Sequence, residues 1–486
     1  MKINFIGIVN ILSVLLFVNS ALMALCIPFS IYYLDGMLTS WIYSVVLSAV
    51  LGLVLWLSTY KHKDRQNIRK RDGYIIVTFS WFVMALSGAI PYIITGSIPN
   101  FTNAFFESIS GFTTTGASIL ENIEELPESI LFWRSLTQWI GGLGFIVLVI
   151  SILPLLGIGG LQLFMAEAPG ITADKLKPRI QDTGKRLWFL YIILTLAETI
   201  LLLFGDMTFF DAINHSLTTM STGGFSTKQA SIAFYNSSYI EYVITAFMFM
   251  GGTSFVLLYL TFKGKFKNLF QNGEFRAYLF ITLGATALVT SVLIYRSAMP
   301  FSIAFRESLF QVVSVLTTTG YASSDFTEWG GSVSLIFFIL MFIGACAGST
   351  AGGVKIVRHL IIAKNSIIEF RRQLHPTAII PVRINGKAIP HEVVRSTMAF
   401  VIIYITIFGV ASVVLALMGM DAVTAMGSVA TSLGNIGPGL NETGPSHSFA
   451  QIPSAAKWIL SVVMIIGRLE LFTVIIIFTR YFWRST

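Results

Sequence analysis

Long apolar runs separated by short polar segments extend along nearly the whole chain. Each run contains enough residues to cross a lipid bilayer, which takes about 20 residues in an α-helix. The pattern therefore predicts an integral membrane protein with ten spans. The predicted spans are residues 5–29, 40–59, 73–96, 131–156, 187–205, 238–262, 277–298, 333–362, 395–419 and 456–479.

After the first two spans, one pattern occurs four times: an apolar span, a shorter semi-polar segment, a turn rich in Gly, Thr and Ser, and a second span. The final glycines of the turns lie 108, 96 and 114 residues apart, which indicates one structural unit used four times. The turns are Thr113-Thr114-Thr115-Gly116, Ser221-Thr222-Gly223-Gly224, Thr317-Thr318-Thr319-Gly320 and Thr431-Ser432-Leu433-Gly434.

A polar residue 13 positions before each final glycine sets the register of the repeat. In the second turn it selects Gly224 over Gly223. The segment that follows allows a helix too short to cross the membrane, so each is expected to enter and stop. The polar residues and their glycines are Asn103 with Gly116, Asp211 with Gly224, Glu307 with Gly320, and Asp421 with Gly434.

A helix that ends at mid-depth leaves carbonyl groups that are tolerated only inside protein or beside a watery cavity. Glycine lets such carbonyls turn toward an axis, and oxygens around an axis replace the hydration shell of an alkali cation. Small residues also pack helices closely in lipid, which is the simpler explanation for one such turn. Four evenly spaced turns favour a cation path.

The charged residues support this topology, since only 12% of the chain is charged and 55% is hydrophobic. With ten spans, the basic loops and both termini fall on one side, which the positive-inside rule assigns to the cytoplasm. The net charge of +8 therefore needs no nucleic-acid partner. The basic loops contain Lys61, Lys63, Arg65, Arg69, Lys70 and Arg71; Lys175, Lys177, Arg179, Lys185 and Arg186; Lys263, Lys265, Lys267 and Arg276; and Lys364, Arg371, Arg372, Arg383 and Lys387. The acidic outer loops contain Glu121, Glu124, Glu125, Glu128, Asp325 and Glu328, which would concentrate cations at a pore mouth.

The four turns resemble those of the Trk/Ktr/HKT superfamily of potassium transporters, and the match over almost the whole chain indicates a bacterial Trk-type pore subunit. The resemblance implies an all-α membrane protein with four consecutive membrane-pore-membrane repeats around a pseudo-fourfold pore, preceded by two extra N-terminal helices. The expected units are residues 1–60, 61–168, 169–264, 265–375 and 376–486. It also implies one potassium-filter glycine in each repeat, at Gly116, Gly224, Gly320 and Gly434.

Closely spaced glycines interrupt the eighth span, and each destabilises a helix by about 1 kcal/mol relative to alanine, so an unwound loop is expected there. The resemblance implies that this loop gates the path below the filter, together with an arginine in the last span. The expected gate residues are Gly344, Gly348, Ser349, Thr350, Gly352, Gly353, Lys355 and Arg468.

These features predict gated uptake of potassium and rubidium, with potassium as the permeant ligand and no cofactor in the chain. The alternative is a proton- or sodium-coupled symporter, whose titratable candidates within spans are Glu198, Arg468 and Glu470. An enzyme or a resident metal site is not expected, because no convergent acid, base or ligand set is found. The resemblance further implies a homodimer in the bacterial inner membrane and a cytoplasmic ring of dinucleotide-fold regulatory subunits.

Overall fold

The computed structural model describes residues 3–61, 69–144, 180–375, 377–378 and 380–483. Several sequence predictions lie outside these residues: the second half of the fourth span, from 145 to 156, the boundary between units at 168 and 169, and five of the basic loop residues. Those five are Lys63, Arg65, Lys175, Lys177 and Arg179.

The described chain is almost entirely helical. Its secondary structure otherwise includes a small antiparallel hairpin, Arg383–Ile384 with Lys387–Ala388. The N-terminal helices are Phe5–Ala24, Ile27–Tyr33 and Leu38–Thr59. The first repeat contains Lys70–Gly88, Ile90–Ile94, Phe101–Phe112 and Glu128–Trp139, followed by a π-helical turn, Ile140–Gly144. The second contains Ile180–Leu203, Phe209–Met220, Ser238–Gly251, Phe255–Phe262 and Phe266–Gln271. The third contains Gly273–Ser297, Phe301–Leu316, Gly331–Leu340 and Ile356–Leu374. The fourth contains His391–Leu417, Ala422–Gly434, Ser454–Arg468, Phe472–Ile475 and Arg480–Trp483.

Within the described ranges, six helices are long and apolar enough to cross a membrane, and two bent helix pairs raise that number to eight. These eight correspond to eight of the ten predicted spans. The predicted span 131–156 is described only as far as residue 144. The predicted span 333–362 is interrupted between Leu340 and Ile356, which confirms the expected unwound loop.

The second membrane helix of every repeat is interrupted. In the first repeat the interruption is a kink at Gly142, whose ψ of −133° is not helical. In the second and fourth repeats the helix bends by 108° and 111°, after Gly251 and after Arg468. In the third repeat it unwinds over residues 341–355. We call the second membrane helix of each repeat its inner helix, and we call residues 341–355 the inner loop.

The short helix that precedes the Gly-rich turn of each repeat, here called the pore helix, is buried near its C-terminal end. The pore helices are Phe101–Phe112, Phe209–Met220, Phe301–Leu316 and Ala422–Gly434. Hydroxyl groups at three of these ends donate to the carbonyl four residues earlier, as Thr113 does to Ile109 at 2.7 Å and Thr317 to Val313 at 2.7 Å. These three hydroxyl groups, of Thr113, Ser221 and Thr317, are thereby hydrogen-bonded inside the protein, as is usual for buried polar groups.

An ion pair inside the first repeat fixes the first pore helix to its inner helix. Arg134 Nη2 lies 2.9 Å from Glu107 Oε1, and the two side chains are 1% and 0% exposed. Arg134 also donates to the carbonyl of Ser226, which follows the second turn. Glu107 Oε2 accepts from the Ile119 N–H at 3.0 Å. Both charges are therefore compensated, and the pair joins the first repeat to the second.

Glu107→Gln is expected to lower the apparent melting temperature of the purified protein strongly. The substitution leaves Arg134 buried without its counter-charge, which costs about 3–5 kcal/mol in comparable buried pairs. The matched control is Glu369→Gln, which removes the exposed pair with Arg372 and changes stability by roughly 0–1 kcal/mol. Equal melting temperatures for the two variants in thermal unfolding would contradict the role assigned to Glu107.

Candidate cation pathway

The turns after the first three pore helices share one backbone conformation. Thr114, Thr222 and Thr318 have left-handed φ angles of 53°, 53° and 56°. Two residues later, Gly116, Gly224 and Gly320 have φ angles of 83°, 76° and 80°. Each turn thus places a left-handed residue and then a glycine after a buried helix end. Such φ values favour glycine at the second position.

The fourth turn has this conformation at a different place from the one predicted. Asn435 has a φ angle of 54°, and Gly437, two residues later, has a φ angle of 109°. Gly434 is instead the last residue of the fourth pore helix, which also contains Thr431, Ser432 and Leu433. The predicted register was therefore wrong by three residues, and Gly437 is the geometric counterpart of the other three glycines.

The four glycines form a closed ring of contacts. A Cβ atom added to Gly116 would lie 2.2 Å from the carbonyl oxygen of Gly223. One added to Gly224 would lie 1.8 Å from that of Thr319. One added to Gly320 would lie 1.9 Å from that of Ile436, and one added to Gly437 would lie 3.0 Å from that of Thr115. Each repeat thus contacts the next, and the fourth returns to the first. We call Gly116, Gly224, Gly320 and Gly437 the glycine ring.

The residues at the start of the pore helices explain the wrong register. Asn100 and Thr208 cap the first two pore helices, 16 residues before Gly116 and Gly224. Asp421 caps the fourth pore helix, 16 residues before Gly437. Asp421 therefore corresponds to the cap residues and not to Asn103 or Asp211. The sequence contained a second signal for the register. Each pore helix has a large apolar residue at its last or last but one position: Phe112, Met220, Leu316 and Leu433.

Two kinds of side chain support the turns. In the first and third turns, hydroxyl groups pair within the turn, Thr113 with Thr115 and Thr317 with Thr319, both at 2.8 Å. In the fourth turn, the Asn435 amide donates to Thr115 Oγ1 at 2.9 Å and to the Met464 carbonyl at 3.0 Å. In the second turn, the side chain of Gln138 forms hydrogen bonds with the backbone of Gly223 and Phe225. The amide residues were not identified from the sequence.

A cavity opens on the outer side of the glycine ring and is lined by all four of its glycines. The C-terminal ends of the four pore helices meet the ring from behind, where helix dipoles place partial negative charge. At the outer end of the fourth pore helix, the Thr424 N–H, together with that of Val423, holds the pKa of the Asp421 carboxyl below its ordinary value. This arrangement suits a cation on the axis of the ring.

The inner loop lies on the opposite side of the ring and contacts helix ends and turns of the second, third and fourth repeats. The Thr350 hydroxyl donates to the carbonyls of Met220 and Gly251, both at 3.1 Å. The Gly352 N–H donates to Thr318 Oγ1 at 2.7 Å. A Cβ atom added to Gly352 would lie 2.3 Å from the Gly434 carbonyl oxygen. The loop therefore lies directly beneath the second, third and fourth pore-helix ends and the turns that follow them.

Arg468 connects the inner loop to the first repeat. Its Nη1 donates to the Thr350 carbonyl at 2.8 Å, and its Nη2 donates to the Gly141 carbonyl at 2.5 Å. The Lys355 ammonium donates to the carbonyl of Ala351 within the loop. Two cationic side chains thus stand on the inner side of the ring, where they would oppose passage of a cation.

The remaining predicted gate glycines shape the inner loop. Gly344 donates its N–H to the Val354 carbonyl at 2.8 Å and closes the base of the loop. Gly348 and Gly353 have φ angles of 74° and 66°. The Ser349 hydroxyl donates to the Cys346 carbonyl at 2.6 Å. All predicted gate residues in this span therefore belong to one folded loop.

Two carboxylates fasten the inner loop to its surroundings, and the sequence indicated neither role. Glu274 Oε1 accepts from the N–H groups of Ala347 and Val357, at 2.7 Å and 3.2 Å. Glu470 Oε2 lies 2.5 Å from Arg358 Nη2, in the helix that follows the loop. Glu274 thus holds the middle of the loop and the start of the following helix, and Glu470, in the break of the fourth inner helix, holds that following helix.

Comparisons with known proteins agree with this architecture. The profile of the family described as "TrkH: Cation transport protein" matches residues 40–484. The chain is 38% identical over 482 residues to a Trk system potassium uptake protein TrkH of Halomonas elongata, covering 98% of this chain and 99% of that one. It is 36% identical over 490 residues to the protein of the same name from Escherichia coli K12, covering 99% and 100%. The crystal structure of the potassium transporter TrkH from Vibrio parahaemolyticus has a TM-score of 0.89 to this fold at 35% identity, covering 99% of this chain and 100% of that one.

Gly437→Ala is expected to remove cation selectivity, whereas Gly434→Ala retains most of it. An alanine at a φ angle of 109° is strained by about 1–3 kcal/mol and approaches the Thr115 carbonyl. At Gly434 the added Cβ meets the flexible end of Ile436 in a helical backbone. The measurement is competition of sodium with rubidium uptake into liposomes. A larger loss of selectivity in Gly434→Ala than in Gly437→Ala would instead support the register that was predicted from the sequence.

Glu274→Gln is expected to raise the rate of cation uptake severalfold, because the weaker acceptor loosens the inner loop beneath the ring. The control is Glu392→Gln, another glutamate in the first turn of a membrane helix, which is exposed. Initial uptake rates of both variants are compared at equal protein incorporation. An unchanged rate for Glu274→Gln would show that this carboxylate does not restrain the loop.

Proposed function

Because the chain belongs to the TrkH family of cation transport proteins, we propose that it takes up potassium through a single gated pore, with rubidium as a second permeant ion. The observation that carries this proposal is the glycine ring, which closes through four contacts between successive repeats. A closed ring of backbone oxygens with helix dipoles behind it replaces the hydration shell of an alkali cation.

The ring favours passive conduction over a coupled carrier. With the fourth turn in its corrected register, at 434–437, the four turns contain only Thr, Ser, Gly, Asn and Ile residues, so no side chain in them exchanges a proton near neutral pH. Arg468 and Glu470, two of the titratable candidates for coupling, contact the inner loop or the helix after it. In the proposed mechanism they belong to the gate and not to an ion-coupled site.

The inner loop is the proposed gate. It contacts residues of the second and fourth repeats beneath the ring, and Arg468 adds a positive charge on the same side. Opening requires the loop to leave these contacts, which removes both the obstruction and the hydrogen bond to Thr318. Conduction and gating are thereby linked through the third turn, which contains Thr318.

In the proposed topology both termini lie on the cytoplasmic side of a bacterial inner membrane, and regulation of the gate would act from that side. A cavity there is lined by Lys364, Arg371 and Arg383, on the helix after the inner loop and the adjoining hairpin. A regulatory subunit that docks on this basic surface would act on the loop through the connecting helix Ile356–Leu374. The proposed assembly is a homodimer of this chain with a ring of dinucleotide-fold subunits.

The test is uptake of radioactive rubidium into liposomes that contain the purified chain, with potassium, sodium or lithium as competitor. Rubidium is expected to enter down its gradient, and potassium to compete far better than sodium. Gly320→Ser should relax this preference, because a Cβ atom at Gly320 would collide with the Ile436 carbonyl oxygen. Gly284→Ser is the matched control, since Gly284 lies in a membrane helix with open space around it.

Two outcomes would overturn the proposal. Uptake that depends on an imposed proton or sodium gradient would establish a coupled symporter. If Gly320→Ser, Gly284→Ser and the native chain had equal selectivity, the glycine ring would not be the element that selects the ion.

A further inference from the structure

Gln138 is a fully buried residue of the first inner helix whose side chain ends against the second filter turn. Its Nε2 donates to the Gly223 carbonyl at 2.7 Å. Its Oε1 accepts from the Phe225 N–H at 2.9 Å. The amide therefore holds the backbone on both sides of Gly224, a member of the glycine ring. Its exposed fraction is 0%.

The carbonyl held by Gln138 is one of the four that form the ring contacts. The Gly223 oxygen is the atom that a Cβ on Gly116 would approach to 2.2 Å. Within the described part of the chain, hydrogen bonds from side chains to the equivalent carbonyls of Thr115, Thr319 and Ile436 are not observed. The second turn is thus positioned by a side chain from another repeat.

The sequence of the second turn explains why it needs this support. The first and third turns have threonine before the ring glycine, and its hydroxyl pairs within the turn. The second turn has Gly223 at that position, which has no side chain to pair with Ser221. A Cβ atom added to Gly223 would lie 2.4 Å from the Gln138 Cδ. Gln138 therefore occupies the volume that a threonine side chain fills in the other two turns.

We propose that Gln138 is a positioning residue for ion selection, which fixes the Gly223 carbonyl and so keeps the glycine ring at the size that separates potassium from sodium. The inference rests on the proposed filter function of the ring. It assigns a role across repeats, because the first repeat determines the geometry of the second turn. A purely structural role would instead affect folding alone.

Two variants separate positioning from packing. Gln138→Met keeps the volume of the side chain but loses both hydrogen bonds. Gln138→Glu keeps an acceptor for Phe225 but replaces the donor to the Gly223 carbonyl. Both are expected to lower the preference for rubidium over sodium about tenfold, since a released carbonyl moves toward the smaller ion. The control is Gln311→Met, which removes a buried amide that donates to the Ser324 carbonyl, away from the ring.

A double variant supplies the rescue. Gly223→Thr alone collides with Gln138, and Gln138→Ala alone leaves the turn unsupported, so each is expected to lose selectivity. Combined, they recreate the threonine pair of the first and third turns, with Ser221 as the partner hydroxyl. The double variant is expected to recover most of the native preference. Thermal unfolding of every variant is measured in parallel to identify those that do not fold.

The outcomes are distinguishable from those that test the filter itself. If the native chain shows no preference for rubidium over sodium, the proposed function fails before Gln138 is considered. If the native chain is selective and folded Gln138→Met and Gln138→Glu are equally selective, the role of Gln138 is wrong. A loss of selectivity in both, with Gln311→Met unchanged and recovery in the double variant, supports it.

Discussion

The closed contact between each ring glycine and a carbonyl of the next repeat is the constraint on which the rest of the structure depends. Four turns can approach this closely only where the facing residue has no side chain, because an added Cβ would lie within 1.8–3.0 Å of a neighbouring oxygen. Pore helices, inner helices and the buried pair of Arg134 with Glu107 hold the turns in these positions. The left-handed residues at the turns carry a conformational cost that this packing offsets.

Short hydrogen bonds connect the inner loop to the helix ends and turns around the glycine ring, so the proposed filter and the proposed gate are structurally coupled. The Gly352 N–H of the inner loop donates to Thr318 in the third turn, and the Thr350 hydroxyl donates to the Met220 carbonyl at the end of the second pore helix. Arg468 ties the same loop to the first repeat. In the proposed mechanism, a change in the loop alters the support of the third turn, and by linkage an ion bound at the glycine ring alters the stability of the closed loop.

Hydrophobic patterning and an internal repeat predicted the membrane spans, the short re-entrant helices and the interrupted eighth span, and the resemblance to the superfamily predicted the all-α architecture of four repeats. The fourth register failed because the spacing to Asp421 was treated as equivalent to that of Asn103, although Asp421 caps its helix. Gln138 and Glu274 were missed for another reason. Their roles depend on contacts with residues 85 and 73 positions away, which no local pattern records.

The most direct test of the account is to locate the ion by anomalous scattering from crystals soaked in rubidium or thallium. Density is expected on the axis at the level of Gly116, Gly224, Gly320 and Gly437, and exchange of the soaked ion for sodium is expected to remove this density. Density beside Gly434, or none within the ring while transport is active, would contradict the claim that the closed glycine ring selects the ion.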